Sequence, residues 1–239
     1  MADTSEEQIA ARIHELTEVS APYTCPELSM RLASPATPLW RASEAQLAEW
    51  RCPEPYWAFA WPGGQALARV LLDQPELVAG LDVLDFGGGG GVLSLAALCA
   101  GARRVVMSEL DPWAGVALRL NMALNAELRS EDVEVELRDL VGRDVAQQVI
   151  LVGDVLYEAA LAERVLAWLR HQVSRGVRVL IGDPGRGHAF LEDLRELGCV
   201  LTPTDTGLDG SILKVIRVVE LNQALPWGSD RRENATSVR

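Results

Sequence analysis

Long apolar runs, paired cysteines and clusters of basic residues are all missing from this 239-residue chain. No apolar stretch approaches the roughly 20 residues that a membrane-spanning helix requires, so we expect no membrane segment. The four cysteines are scattered without a C-x-x-C pair, which argues against a zinc site or a dense disulfide framework. We therefore expect no bound metal ion. Unpaired cysteines are also consistent with a reducing compartment. Cys99 follows an apolar run and is expected in the core.

Negative charge is in excess, with 34 acidic against 22 basic residues and a formal net charge of −12. Nucleic-acid-binding proteins usually carry a basic patch, because their affinity comes largely from neutralising phosphates. Lysine and arginine occur here at most in pairs, so we expect no nucleic-acid partner. The negative charge is compatible with attraction of a cationic acceptor such as a lysine. Alternatively, it serves only to keep the protein soluble. The first 20 residues hold five acidic residues and one arginine, unlike a transit peptide, and we expect a cytoplasmic protein.

The chain divides into three zones. Residues 1–62 are predicted to form an N-terminal extension with helices over Glu6–Thr17 and Ser43–Trp50, where Ser43 is the N-cap. Residues 63–221 alternate strand and helix patterns, which is typical of a parallel sheet. Residues 222–239 are polar and unpatterned, and are predicted to form a flexible tail.

Five short, mostly aliphatic segments of the middle zone are predicted strands of a sheet covered on both faces: Leu81–Phe86, Arg104–Glu109, Val133–Leu137, Val149–Gly153 and Val177–Gly182. Helices are predicted from Asp111 to about Leu128, over Glu158–Ser174, and over Gly187–Leu197 with Gly198 as its C-terminal glycine. Val200–Thr206 and Ile212–Val219 form a predicted terminal hairpin. The fold class is therefore α/β: a Rossmann-like, seven-stranded class I methyltransferase sheet with a terminal antiparallel hairpin.

A run of glycines connects the first predicted strand to a helix, in the sequence Asp85-Phe86 followed by Gly87–Gly91. Such a loop lets backbone N–H groups and a helix N-terminus approach a ligand. The dinucleotide fingerprint G-x-G-x-x-G would require glycine at position 92, where this chain has Val92. The spacing G-x-G-x-G of Gly87, Gly89 and Gly91 instead indicates S-adenosylmethionine, with Asp85 and these glycines as cofactor-binding candidates.

An acidic residue at the end of the next strand makes this interpretation more specific. Glu109 is placed to accept hydrogen bonds from both ribose hydroxyls, although it would otherwise be a solvent-exposed carboxylate at a strand end. Leu110 is expected to lie against the adenine face. Asp139, just after the third strand, is placed to meet the adenine amino group.

The fourth strand ends in Gly153-Asp154-Val155-Leu156-Tyr157. Loops at the carboxyl ends of parallel strands surround the ligand crevice, so Asp154 and Tyr157 are candidate catalytic residues facing the acceptor. A carboxylate and a phenol suit a lysine amine; alternatively, Asp154 is a helix N-cap and Tyr157 a packing residue. The Pro-Pro-aromatic pattern of enzymes that methylate amides or base amines is missing here, which disfavours those acceptors.

Several segments together resemble the electron transfer flavoprotein β-subunit lysine methyltransferases. They are PYWAFAWPGGQAL at residues 55–67, Glu109–Pro112, Gly153–Tyr157 and IGDPGR at residues 181–186, and the resemblance spans roughly residues 23–220. It implies a protein-lysine methyltransferase acting on that flavoprotein subunit, with Asp154 and Tyr157 facing the lysine. It also implies that Trp61 lies beside the cofactor, although Trp61 could instead pack a helix onto the sheet.

Other functions stay open from the sequence. The acceptor could be another protein, for example a ribosomal protein, or a small amine. A catalytically silent module that binds the cofactor and a partner protein is an alternative of a different class. A nicotinamide oxidoreductase is disfavoured by Val92 and by the terminal hairpin.

Overall fold

The N-terminal segment forms two capped helices and a small hairpin in the computed structural model, which describes residues 5–183, 194–203 and 213–222. Helix α1 (Glu6–Leu16) begins at the capping box of Ser5, and helix α2 (Glu44–Trp50) at that of Ser43. Strands β1 (Glu18–Ser20) and β2 (Met30–Leu32) pair antiparallel. Both predicted N-terminal helices are thereby confirmed.

The remaining elements build the main sheet. They are α3 (Pro62–Asp73), β3 (Asp82–Phe86), α4 (Val92–Cys99), β4 (Arg104–Ser108), α5 (Pro112–Leu124), β5 (Val133–Glu136), β6 (Val149–Gly153), α6 (Ala159–Ser174), β7 (Arg178–Asp183), β8 (Leu194–Pro203) and β9 (Leu213–Leu221). The seven strands follow the order β5-β4-β3-β6-β7-β9-β8. β3 to β7 are parallel, and β9 is antiparallel to both β7 and β8. The predicted seven-stranded sheet is confirmed.

Two apolar layers cover the sheet. Helices α3, α4 and α5 share one core with the N-terminal segment, which contributes the buried side chains of Ile13, Leu28 and Met30. Helix α6 packs on the opposite face through residues such as Leu166 and Leu169. The strand order reverses between β3 and β6, and at such a switch point the crevice for a ligand opens at the carboxyl ends of the strands. Across the part of the chain described here, no helix combines the length and apolarity of a membrane span.

The helix predicted over Gly187–Leu197 is wrong in its described part, because residues 194–197 belong to β8. Leu194 pairs with Leu221 and Arg195 with Glu220, so the backbone finds its hydrogen bonds in β9 rather than in a helical turn. The strand register shifts between Glu196 and Gly198. Gly198 therefore lies at a β-bulge and not at the C-terminus of a helix. Residues 184–193, residues 204–212, which contain the predicted hairpin turn, and the predicted tail from 223 onward lie outside the described residues.

Two smaller expectations also need correction. Helix α5 ends at Leu124 rather than near Leu128, because the buried Asn125 side chain donates to the Asn121 carbonyl at 2.7 Å and so caps the last turn. Cys99 is exposed, not in the core, because it occupies the last turn of α4 on the side that faces solvent.

Candidate functional site

A cavity of about 510 Å³ opens at the carboxyl ends of β3, β4 and β6. Ligand sites of enzymes commonly fall between about 300 and 1,000 Å³. The structure brings most of the predicted site residues together there; the lining includes Trp61, Gly87, Gly89, Glu109, Leu110, Asp139, Asp154 and Tyr157. Residues that lie up to about a hundred positions apart in the chain thus face one space.

The glycine loop lies at one wall of this cavity. Gly87 and Gly89 adopt positive φ angles of 70° and 54°, which glycine tolerates at little cost. A Cβ atom on Gly87 would lie 2.7 Å from Cγ2 of Val155, so the close approach of the loop to the β6 end also requires glycine. The N–H of Gly87 donates to the carbonyl of Ser108 at 2.9 Å, which ties the loop to the end of β4.

Gly91 differs from the other predicted loop residues because it does not line the cavity. It is the N-cap of α4 with φ of 87°, and a Cβ atom there would collide with the side chain of Leu118 on α5. The structure therefore places Gly91 where it permits helix packing.

Asp85 lies fully buried beneath the loop rather than in the main cavity. Its Oδ2 accepts hydrogen bonds from the backbone N–H and the hydroxyl of Ser94, at 2.9 and 2.7 Å. Its Oδ1 has no hydrogen-bond partner among the residues that the structure describes. Burial raises the pKa of Asp85 from 3.8 to about 7, and the hydrogen bonds from Ser94 oppose that rise. A small adjoining cavity of about 30 Å³ contacts Asp85 and Gly87–Gly90.

Glu109 is the first residue after β4, and its carboxylate accepts hydrogen bonds from three backbone N–H groups. Its Oε1 accepts from Gly89 at 3.0 Å, and its Oε2 accepts from Leu110 at 2.7 Å and from Asp111 at 3.5 Å. A carboxylate offers about four lone-pair sites, so this side chain can still accept from a diol. Leu110 is 67% exposed and presents an apolar surface at the mouth of the cavity.

Asp139 forms an unexpected pair with helix α6. Its Oδ1 accepts from the N–H of Val141 at 2.9 Å, and its Oδ2 forms an ion pair with Arg164 at 3.0 Å. Arg164 also lines the cavity. Arg164 was not predicted as a site residue, although Leu161 and Arg164 are three residues apart and therefore lie on one face of the helix.

Asp154 bridges two elements at the floor of the site. Its backbone is left-handed, with φ of 57°, a costly conformation for a residue other than glycine. Its Oδ2 accepts the N–H of Gly64 at 2.8 Å. Gly64 is the third residue of α3, whose own N-cap, Trp61, supplies no capping side chain. Asp154 thus caps α3 across 90 positions of sequence, and the positive end of that helix stabilises its charge.

Aromatic side chains also line the cavity. Trp61 donates from Nε1 to the carbonyl of Tyr56 at 3.0 Å, and the two rings lie 5.9 Å apart. Tyr157 faces Tyr56 at a ring separation of 6.3 Å. Tyr56 lines the cavity but was not predicted as a site residue, although it stands in the segment that carries the family resemblance.

The residues present fit a sulfonium nucleoside. The Oδ1 of Asp85, which has no hydrogen-bond partner among the described residues, suits the cationic aminoacyl end of such a ligand. Asp85 borders the small cavity beneath the loop, and Gly87 and Gly89 present backbone without side chains to the main cavity. Glu109 suits its ribose and Leu110 its base, as predicted from the sequence. A seven-stranded sheet of this strand order, with these residues around its switch point, defines a class I methyltransferase.

Comparison with known proteins agrees with that class. The family described as "Ribosomal protein L11 methyltransferase (PrmA)" matches residues 66–177. The crystal structure of an RNA methyltransferase candidate from Pyrococcus horikoshii aligns with a TM-score of 0.53 at 12% identity, covering 93% of this chain and 98% of that one. At this identity the likeness concerns the fold alone.

Curated relatives are more specific. A protein from Xenopus laevis is 41% identical over 187 residues, which are 76% of this chain and 74% of the relative. A protein from Homo sapiens is 38% identical over 197 residues, 80% of this chain and 73% of the relative. Both are named "Electron transfer flavoprotein beta subunit lysine methyltransferase". The chain belongs to this family of methyltransferases, which confirms the resemblance.

Proposed function

We propose that this protein transfers a methyl group from S-adenosylmethionine to a lysine side chain of the electron transfer flavoprotein β subunit. One observation supports it above all. The Asp154 carboxylate and the Tyr157 phenol face the same cavity as the glycine loop and Glu109, so an acceptor-binding pair lies beside a cofactor-binding set. The names of the relatives supply the protein substrate.

Most of the predicted residues have a part in this proposal. Gly87, Gly89 and Asp85 would hold the aminoacyl end of the cofactor, Glu109 its ribose, and Leu110 and Asp139 its base. When bound, the cofactor supplies a methyl group already activated by the positive sulfonium. The protein's own task is then to bind the acceptor, align it and exclude water.

The acceptor poses a problem of protonation. Free lysine has a pKa of about 10.4, so near neutral pH the neutral amine is disfavoured by about 4 kcal/mol. Asp154 would attract the ammonium and then orient the neutral amine, because its carboxylate is fixed by the N–H of Gly64. The Tyr157 hydroxyl provides a second polar contact at the cavity.

Asp154→Asn tests this role. The amide keeps the size of the side chain and an oxygen for the N–H of Gly64, but it lacks the charge that attracts lysine. We expect kcat/KM for the flavoprotein subunit to fall by about 100-fold or more, while the Kd for S-adenosylhomocysteine measured by calorimetry stays within about twofold.

Asp144→Asn is the matched control, because Asp144 is an exposed carboxylate on the surface beside His171. It should leave both quantities unchanged. Full methyl transfer by Asp154→Asn would contradict the assignment of Asp154. Cofactor binding without methylation of the subunit by the wild-type protein would contradict the proposed substrate and favour a silent binding module.

A further inference from the structure

An aromatic slot borders the cavity on its solvent side. The rings of Tyr56 and Tyr157 face each other at 6.3 Å with an interplanar angle of 34°. Both side chains are about half exposed, 49% and 47%, and both line the cavity next to Asp154. They belong to segments about a hundred residues apart, so only the fold creates this pair.

Tyr56 is anchored through both its backbone and its ring hydroxyl. Its carbonyl accepts the indole N–H of Trp61 at 3.0 Å, and its hydroxyl donates to the carboxylate of Glu54. The backbone contact survives any substitution of the side chain. The hydrogen bond to Glu54 raises the pKa of Tyr56 to about 12, so the phenol stays protonated and its ring neutral.

The slot matches the chemistry of a lysine side chain. Aromatic faces bind apolar stems through contact area and attract cations through the ring quadrupole. A methylene chain held between two parallel rings needs them about 7 Å apart, twice the carbon contact distance. The observed separation is slightly smaller, and two half-exposed side chains have the freedom to open it.

Charge in the surroundings also favours a cation. Glu54 accepts the hydrogen bond of the Tyr56 hydroxyl, and Glu109 and Asp154 line the cavity. The two arginines of the lining each form an ion pair with a carboxylate, Arg138 with Glu136 and Arg164 with Asp139. Their positive charges are therefore partly balanced before an acceptor arrives.

We infer that Tyr56 is an acceptor-binding residue, whose ring forms the second wall of an entry slot for lysine opposite Tyr157. This inference rests on the proposed function. The lysine stem packs along the two rings, and its amine reaches Asp154 at the end of the slot. Tyr56 determines affinity for the acceptor, and it has no part in holding the cofactor.

Tyr56→Ala removes the wall, whereas Tyr56→Phe keeps the ring and removes only the contact with Glu54. With the flavoprotein β subunit as substrate, we expect KM to rise about tenfold or more for Tyr56→Ala, with a smaller change in kcat. For Tyr56→Phe we expect KM within about threefold of wild type. The Kd for S-adenosylhomocysteine should stay within about twofold in both variants. Tyr23→Ala is the control, because Tyr23 is an exposed tyrosine, at 73%, outside the cavity lining.

A second measurement separates this inference from the proposed substrate. N-acetyl-lysine amide is titrated into the protein loaded with S-adenosylhomocysteine, and the ring signals of Tyr56 and Tyr157 are followed by NMR. Saturable shifts of both rings in the wild type, with the Tyr157 shift lost in Tyr56→Ala, support the slot even if the wild type fails to methylate the flavoprotein subunit. Unmoved ring signals, an unchanged KM in a folded Tyr56→Ala protein, or an approximately tenfold weaker Kd for S-adenosylhomocysteine would each overturn the inference.

Discussion

At the scale of single residues, the site contains carboxylates in very different surroundings. Glu109 faces backbone N–H groups at the cavity, and Asp154 caps a helix. Asp85 is completely buried beneath the glycine loop. Burial of a carboxylate disfavours its charged form, whereas hydrogen bonds to it favour that form. Burial therefore makes Asp85 a group whose protonation changes near neutral pH.

Asp85 should make the folded state less stable as pH rises. Its folded pKa of about 7 lies above the ordinary 3.8, so the native protein binds more protons between these values. Over that window this group lowers the free energy of unfolding by up to about 1.4 kcal/mol per pH unit, with little effect outside it. Asp85→Asn retains an acceptor for Ser94 and should flatten this slope in urea unfolding at pH 4 to 7.

An identical slope in Asp85→Asn and wild type would show that Asp85 does not titrate in this range.

At the scale of elements, helix α5 ties the glycine loop to the N-terminal segment. Asn121 donates to the carbonyl of Gly90 at 2.8 Å and accepts from the N–H of Arg31 at 2.7 Å. One turn later, Asn125 exchanges hydrogen bonds with the backbone of Ser29, at 3.0 and 2.8 Å. Both asparagines are buried, so each bond lies in a medium where its loss is costly.

The two asparagines form a matched pair for experiment. Asn121→Ala and Asn125→Ala each leave buried backbone groups of β2 or its flank unpaired, and each should lower the free energy of unfolding by about 1–3 kcal/mol. Asn121→Ala alone frees the carbonyl of Gly90. We expect it to weaken S-adenosylhomocysteine binding by about fivefold or more in calorimetry, and Asn125→Ala to change it by less than about twofold. Equal effects on binding would argue against this positioning role.

At the scale of the whole molecule, the N-terminal segment and the sheet domain share one apolar core. Trp57 is 1% exposed and stacks on Trp113 of α5, with ring centroids 5.7 Å apart and an angle of 27°. The backbone of β2 meets α5 through Asn121 and Asn125. The predicted boundary at residues 62 and 63 thus separates two parts of the sequence that pack together.

This packing predicts a single cooperative unfolding transition. Tryptophans occur in both parts, with Trp40, Trp50, Trp57 and Trp61 before the boundary and Trp113, Trp168 and Trp227 after it. Urea curves followed by tryptophan fluorescence and by far-UV circular dichroism should coincide. A fluorescence step at lower urea than the loss of dichroism would show that the N-terminal segment unfolds by itself.

Local patterns in the sequence were sufficient for the sheet, the glycine loop and the position of Glu109 at a strand end. Strand periodicity and turn residues are properties of neighbouring positions, and parallel strands necessarily present their carboxyl ends at one edge. The helix predicted over Gly187–Leu197 failed in residues 194–197, because pairing with β9 outweighs local preference there.

Only the tertiary structure placed Tyr56 opposite Tyr157, Arg164 beside Asp139 and the Asp154 carboxylate at the N-terminus of α3. Each of these contacts joins side chains from distant segments. Their approach depends on how helices pack on the sheet, and no spacing along the chain specifies it. The sequence by itself determined the class of chemistry, whereas the packing decided which side chains surround the acceptor.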